Sequence, residues 1–225
     1  MLKIKLNPND FRFNILKFSS LVYFILLSFV LIFVSFAINY LFLSDNLIYQ
    51  SFGDTIAIER ITRMIELSRG MRWVGYIVIP LVIFIRVAFT ASCLYVGCAL
   101  LEYKINFRDL FKISILADFV FVASAIVKLA VLIFFKTVNN LEDLQFQPFS
   151  LLEIFDRSKV QVYLVYLYSA INIFEIAYWG VLAWLLTQIL ERPFVKTFQT
   201  VLSSYVPGLM LWILFTMFIT LNLST

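Results

Sequence analysis

The sequence predicts an all-α fold, a polytopic membrane helix bundle of five transmembrane helices with an outer amphipathic helix. Two observations carry this prediction, the composition and the spacing of the apolar runs. Of the 225 residues, 62% are hydrophobic and only 14% are charged, whereas soluble domains are about 45–50% apolar and about 25% charged. Five apolar runs each approach or exceed the ~20 residues that a helix needs to cross a bilayer. We expect one membrane domain over residues 1–225.

The predicted spans, in chain order, are 20–42, 73–101, 113–135, 160–190 and 198–221. The basic residues before the first span and its length favour an uncleaved membrane helix over a secretory signal. Pro80 in the second span and Pro207 in the fifth predict kinks that membrane helices tolerate. The second and fourth spans are longer than a crossing requires, so we expect them to tilt or to extend beyond the lipid.

The segment between the first two spans predicts an amphipathic helix over residues 54–69, lying on the outer surface. Ile58, Ile61 and Ile65 recur at helical spacing while charged residues occupy the opposite face. Gly70 is the expected end of this helix. We interpret the helix as a cap over the mouth of the bundle or, alternatively, as a surface that binds a protein partner.

A second outer segment precedes the fourth span. Ser150 followed three residues later by Glu153 matches a capping box. This spacing predicts a short helix over residues 151–157, and the polar stretch 139–143 before it predicts a flexible loop.

The distribution of basic residues predicts the orientation of the chain. The segments 1–19, 102–112 and 191–197 carry nine Lys or Arg residues, and the longer segments on the opposite side carry seven. Because cytoplasmic loops are richer in Lys and Arg, we expect a cytoplasmic N-terminus and an outer C-terminus. A bacterial inner membrane is the expected location.

Four ionisable residues interrupt the apolar spans. Arg86 lies in the second span, Asp118 and Lys128 in the third, and Glu175 in the fourth. A single charge in hydrocarbon costs at least ~2.5–3.5 kcal/mol on insertion scales, so we expect all four to face the bundle interior as a charged seam. Residue counts from the span ends put Arg86 and Glu175 near mid-bilayer and Asp118 nearer the cytoplasm. We therefore predict an intramembrane ion pair between Arg86 and Glu175.

The seam has two interpretations: it sets the register of packed helices, or it marks a proton or ion pathway. We do not expect an enzyme. Histidine is absent, which excludes triads and metal sites built on histidine, and no Gly-rich phosphate loop occurs. No catalytic residue, cofactor or metal site is predicted. Nucleic-acid binding is not expected, because no basic stripe with stacking aromatics is present.

Three stretches resemble the bacterial branch of the Yip family, five-span membrane proteins whose eukaryotic members work with Rab GTPases. The stretches are Asn106-Phe-Arg-Asp-Leu110 at the turn before the third span, 148–156 before the fourth, and 172–180 within it. The resemblance covers roughly residues 75–220. It implies five spans, a cytoplasmic N-terminus, and a non-enzymatic protein that acts through partners or lipids.

The sequence thus leads us to expect a non-enzymatic integral membrane protein that acts through partner or lipid interactions, for example as a subunit or modulator of a larger membrane system. Membrane lipids and a protein partner, or a second copy of this chain, are the expected partners. One alternative is a transporter permease or ion-conducting channel component that uses the intramembrane charges. Another is a membrane accessory of a defence or secretion system.

Overall fold

The structure, a computed structural model, describes residues 19–52, 57–155 and 160–224. The basic N-terminal segment therefore lies outside the described residues, as do the start of the predicted helix 54–69 and the end of the predicted helix 151–157. The described residues are almost entirely helical, with one isolated β-bridge. Five helical stretches are long and apolar enough to cross a membrane, which confirms the predicted all-α membrane bundle.

The helices of the described residues are α1 Ser20–Phe42, α2 Asp45–Phe52, α3 Ile58–Leu100, α4 Phe107–Ala117, α5 Phe119–Phe134, α6 Leu141–Leu144, α7 Val162–Ala170, α8 Ile173–Leu190 and α9 Phe194–Ser224. The membrane crossings are α1, α3, the combined α4–α5 stretch, α8 and α9. Helix α1 begins behind Ser19, whose side chain accepts a hydrogen bond from the Leu21 N–H at 3.2 Å, as an N-cap does.

The loops collect on two sides of the bundle. On one, here called the Tyr103 side, the Arg192 guanidinium carbon lies 5.9 Å from the centroid of the Tyr103 ring, which joins the turn after α3 to the turn after α8. On the other, the Asp45 side, the Leu141 N–H donates to the Ser51 hydroxyl at 2.8 Å, which joins α6 to α2.

Helix α3 is 43 residues long, about 65 Å, and it runs well beyond the ~30 Å hydrocarbon core. Residues 58–69 are helical, as predicted, but Gly70 does not end the helix. One glycine inside a helix costs only about 1 kcal/mol, and packing holds the helix on the N-terminal side of it. There Ile61 and Ile65 pack against Ile48 of α2, and Arg69 forms an ion pair with Asp45.

Helices α3 and α9 cross at close range because small residues line both faces. A Cβ added to Gly97 would lie 2.3 Å from the Ser204 Cβ, and one added to Gly208 would lie 2.5 Å from the Cys93 sulfur. The contacts are four residues apart on each helix and run in opposite order, so the helices are antiparallel. Small residues at this spacing let membrane helices approach closely. The crossing lies toward the Tyr103 side.

Two clusters of fully buried side chains hold the bundle together. The larger joins α3, α4, α8 and α9 through residues such as Leu94, Leu110, Tyr178 and Leu182. The second packs α1 against α3 and α4 through Leu27, Val87 and Ile115.

The predicted fourth span is not one helix. It divides into α7 and α8 at Ile171–Asn172, which corrects the continuous span 160–190. The Asn172 side chain caps α8 by accepting a hydrogen bond from the Glu175 N–H at 2.9 Å. Its amide nitrogen donates back to the carbonyls of Ser169 at 3.0 Å and Ala170 at 3.1 Å. One asparagine therefore satisfies backbone groups on both sides of the break. In a continuous helix these N–H and C=O groups would bond to one another.

The segment before α7 forms hydrogen bonds with the break and with α5. The Leu151 N–H donates to the Ile171 carbonyl at 2.9 Å, and the Gln147 side-chain amide donates to the Ser124 hydroxyl of α5 at 3.3 Å. Irregular backbone at membrane depth requires such partners, because lipid offers none. This segment, residues 145–153, therefore packs into the bundle, and only Leu151–Glu153 within it forms a short 3-10 helix.

The capping box forms earlier in the chain than we expected. Ser150 makes no side-chain hydrogen bond to the helix that follows it. Instead, the Asn140 side chain accepts from the Asp143 N–H at 2.9 Å, and the Asp143 carboxylate accepts from the Asn140 N–H at 3.2 Å, the reciprocal pair of a capping box. The stretch 139–143, predicted as a loop, is therefore the capped start of α6.

Candidate functional site

Three of the four ionisable residues of the charged seam meet inside the bundle. Counted along the helices from the Tyr103 side, Asp118 lies about 16 Å in, Arg86 about 21 Å and Glu175 about 22 Å. These depths fall near the middle of a ~30 Å hydrocarbon core. Lys128 does not join them, since it lies ten residues after Asp118, about 15 Å further along α5.

Arg86 pairs with Asp118 and not with Glu175, which corrects the predicted ion pair. Its Nη2 lies 2.6 Å and its Nε 3.1 Å from the same oxygen, Asp118 Oδ2. The prediction was wrong because the third span begins at Phe107, not at residue 113. The six additional residues place Asp118 about 9 Å deeper, at a depth that Arg86 reaches.

The pair is held asymmetrically. The Asp118 side chain is fully buried, whereas the Arg86 side chain is 33% exposed. The guanidinium carbon also lies 4.2 Å from the centroid of the Phe121 ring, a cation–π contact. Asp118 sits at the junction of α4 and α5, where its carbonyl accepts from the Phe121 N–H at 2.9 Å. The tightened turn at Asp118 therefore presents both the carboxylate and the aromatic ring to Arg86.

Glu175 has no cationic partner among the described residues. It lies in the first turn of α8 and is 9% exposed. Its Oε1 accepts hydrogen bonds from the Trp179 indole N–H and from the Tyr205 hydroxyl, both at 2.9 Å. Both donors are neutral and both bond to the same oxygen. The second oxygen, Oε2, accepts no hydrogen bond from the residues that the structure describes.

Aromatic side chains pack around the Arg86–Asp118 pair and around Glu175. The Tyr178 hydroxyl donates to the Thr90 hydroxyl at 3.1 Å, and the Tyr178 ring is fully buried. Its centroid lies 5.0 Å from that of Phe121 and 5.5 Å from that of Tyr205. The ring under Arg86 and the hydroxyl beside Glu175 are therefore positioned by a single tyrosine.

A cleft of about 520 Å³, here called the central cleft, opens beside this cluster. It lies between α3 and α9, beyond their close crossing and toward the Asp45 side. The apolar residues that α3 and α9 contribute to its wall are Val82, Ile85, Phe89, Leu209 and Trp212, and Phe121 and Ala170 also line it. Its volume is within the 300–1,000 Å³ typical of small-molecule sites.

The polar wall of the central cleft combines charged and neutral groups. The residues are Arg86, Gln145, Gln147, Tyr166, Ser169, Asn172, Glu175 and Tyr205. Asp118 stays behind Arg86 and does not line the cleft. The broken fourth span and the packed segment 145–153 thus bring amide, hydroxyl and carboxylate groups to an apolar cavity, the combination that orients a ligand.

The charged members of this site were predicted from the sequence, and the neutral ones were not. Tyr178, Trp179 and Tyr205 were not predicted from the sequence to belong to a site. One signal was available for the break: Asn172 followed three residues later by Glu175 has the spacing of a helix N-terminus, which is out of place inside an apolar span. The spacing of Glu175 and Trp179 also places both on one helix face.

Within the described part of the chain, no three His, Cys, Asp or Glu side chains come close enough to hold a metal ion. Comparison with known proteins gives no match: no family model, no curated protein and no solved structure is significantly similar to this chain. The resemblance to the Yip family therefore stays a prediction.

Proposed function

We propose that this integral membrane protein is non-enzymatic and binds a membrane-borne amphiphilic molecule in the central cleft. The observation that carries the proposal is the composition of the cleft: an apolar wall from α3 and α9 faces a polar wall that contains Arg86 and Glu175. An amphiphile satisfies both walls at once, its chain against the apolar side chains and its head among the polar groups. This refines the lipid interaction expected from the sequence.

Side entry from the lipid supports the proposal. The apolar wall is accessible, with Val82 53%, Ile85 46% and Trp212 39% exposed, and the helices that carry it face lipid. The closest approach of α3 and α9 is the small-residue crossing on the Tyr103 side, and the cleft lies beyond it, between side chains of the same two helices. A molecule dissolved in the bilayer reaches the polar wall without passing through water.

The location and orientation belong to the same proposal. We place the protein in a bacterial inner membrane with the N-terminus in the cytoplasm, on the density of Lys and Arg in the loops. The central cleft then opens in the outer half of the bilayer. Action as a subunit or modulator of a larger membrane system, as members of the Yip family suggest by resemblance, is compatible with a protein that senses a lipid-soluble ligand.

The test is retention of a co-purified amphiphile, measured by native mass spectrometry after detergent exchange. Leu209→Trp fills the central cleft, and we expect it to abolish the retained mass. Leu211→Trp is the matched control, since Leu211 is 68% exposed on the same helix and outside the cleft. Both variants should elute as single species with wild-type helix content. Equal retention by the two variants, or none by the wild type, contradicts the proposal.

A proton or ion pathway is the second candidate, and the break at Ile171–Asn172 favours it, because interrupted helices form ion sites in transporters. The packing on the Tyr103 side opposes it: Leu94, Leu182 and Leu186 are fully buried there and fill the route away from the cleft. Proton flux into proteoliposomes that contain a pH-sensitive dye separates the candidates. Flux abolished by Glu175→Gln supports the pathway, and wild-type liposomes as tight as empty ones support ligand binding alone.

A further inference from the structure

We infer that the central cleft selects a cationic head, a hydrophobic amine or quaternary ammonium group, and that Glu175 is its counter-ion. The inference rests on the proposed function, that the cleft holds an amphiphile, and it names the class of head group.

The first argument is the charge balance of the cluster. Arg86 forms an ion pair with Asp118, with Nη2 2.6 Å from Oδ2, so these two formal charges cancel. Glu175 is then the surplus charge, and its partners Trp179 and Tyr205 are neutral. No lysine and no second arginine is among the described residues that line the cleft. A carboxylate out of water is costly unless a cation offsets it, and the cleft is the space from which a cation approaches.

The second argument is the orientation of the carboxylate. Trp179 and Tyr205 both bond to Oε1, which fixes the plane of the group and leaves Oε2 unused. Glu175 itself lines the cleft. A ligand ammonium can therefore form a charge-assisted hydrogen bond with Oε2 without displacing Trp179 or Tyr205 from Oε1. A quaternary ammonium, which cannot donate, is attracted to the same charge.

The third argument is the aromatic wall. Phe89, Tyr166 and Trp212 line the cleft with Tyr205. The Trp212 indole N–H donates to the Tyr166 hydroxyl at 3.1 Å, and the centroids of Trp212 and Phe89 are 5.7 Å apart. Aromatic faces attract cations and are the common means of recognising quaternary ammonium groups. These rings are available for a ligand, whereas the ring of Phe121 is already covered by Arg86.

An anionic head is disfavoured by the same contacts. Arg86 is the cation that could receive it, but its Nε and Nη2 already donate to Asp118 and its guanidinium is stacked on Phe121. An anion in the cleft would also face Glu175. The repulsion between like charges contributes to specificity against an anionic head.

The experiment uses two ions of nearly identical size and opposite charge, tetraphenylphosphonium and tetraphenylborate. Radiolabelled ions are equilibrated with the full chain in phosphatidylcholine nanodiscs, and uptake by empty nanodiscs is subtracted. We expect saturable binding of the phosphonium and none of the borate. Glu175→Gln should weaken phosphonium binding at least tenfold. Glu59→Gln, the same change in charge at an exposed residue of α3, should leave it within twofold.

Each other outcome is decisive. Equal binding of the two ions overturns the cationic head but leaves the proposed amphiphile site standing. No phosphonium binding, or binding unaffected by Glu175→Gln, also overturns the inference, while retention of the co-purified amphiphile decides the proposed function separately. If Glu175→Gln does not fold, Trp212→Leu replaces it. Loss of one aromatic face should weaken phosphonium binding about fivefold, and an unchanged affinity would count against the site.

Discussion

Arg86 and Asp118 form an ion pair at 2.6 Å inside the bundle, while Glu175, at a similar depth, is bonded instead to Trp179 and Tyr205. The pair joins α3 to the α4–α5 crossing. Glu175 joins α8 to α9. The three charged side chains therefore differ in their partners: Arg86 and Asp118 bond to each other, and Glu175 bonds to neutral groups.

Removing one partner of the Arg86–Asp118 pair should lower stability more than removing both. Asp118→Asn leaves Arg86 without its counter-ion and should lower the free energy of unfolding by about 3 kcal/mol, since removing one partner of a buried pair is strongly destabilising. The double variant Arg86→Met/Asp118→Leu should recover much of that loss, because no charge remains buried. Unfolding by sodium dodecyl sulfate in mixed micelles measures both. A double variant no more stable than Asp118→Asn would exclude the pairing.

Glu175 should be almost neutral to stability when its shape is kept. Glu175→Gln retains an oxygen for the Trp179 and Tyr205 donors, so we expect a change below about 1 kcal/mol. Glu175→Leu leaves the buried Tyr205 hydroxyl and the partly buried Trp179 N–H without an acceptor and should cost about 2–4 kcal/mol. The same mixed-micelle unfolding compares the two. A large loss of stability in Glu175→Gln would instead support the Arg86–Glu175 pair predicted from the sequence.

The close crossing of α3 and α9 should not tolerate added volume. Gly97→Ala places a methyl group 2.3 Å from the Ser204 Cβ, so the helices must separate, at a cost of about 1–3 kcal/mol. Gly180→Ala is the matched control, because nothing lies within 4 Å of its Cβ position, and it should be neutral or slightly stabilising. Thermal unfolding monitored by circular dichroism tests this. Equal effects at the two glycines would contradict the crossing.

Two residues after the end of α3, the backbone adopts a conformation that a glycine would suit better. Glu102 has a left-handed φ of 57°, and the Tyr103 N–H donates to the Cys98 carbonyl at 2.9 Å, the long bond of a Schellman motif. Because a left-handed non-glycine residue costs about 1–2 kcal/mol, Glu102→Gly should raise stability by about 1 kcal/mol. Lys104→Gly, two residues on in the same turn, should not. The midpoint of thermal unfolding distinguishes them.

The break in the fourth span should depend on Asn172, which serves both α7 and α8. Asn172→Ala removes the N-cap and the amide donor together and should cost about 2 kcal/mol. Asn172→Asp keeps the cap acceptor but not the donor and should recover about half of that. Hydrogen exchange at the first amides of α8 measures the local effect. Protection that does not change in Asn172→Ala would show that the break is held by the neighbouring segment alone.

The membrane class, the five crossings and the charged residues of the site all followed from local pattern. The length of an apolar run and its few charges are properties of consecutive residues, and lipid imposes them wherever the run packs. Residues 58–69 were correctly expected to be helical because the spacing of their apolar residues is also a property of consecutive residues.

The tertiary structure alone decided which groups meet. Pairing of Arg86 with Asp118 depends on where Phe107 begins its helix. The neutral donors to Glu175 come in part from Tyr205, thirty residues away. The break at Asn172 is also supported by residues 145–153, which supply backbone partners from outside the sequence window around it. Consecutive residues along the chain determine which segments cross the membrane and which of them carry charges. The relative position of packed helices determines which side chains meet and where the central cleft forms, and no single helix specifies that position.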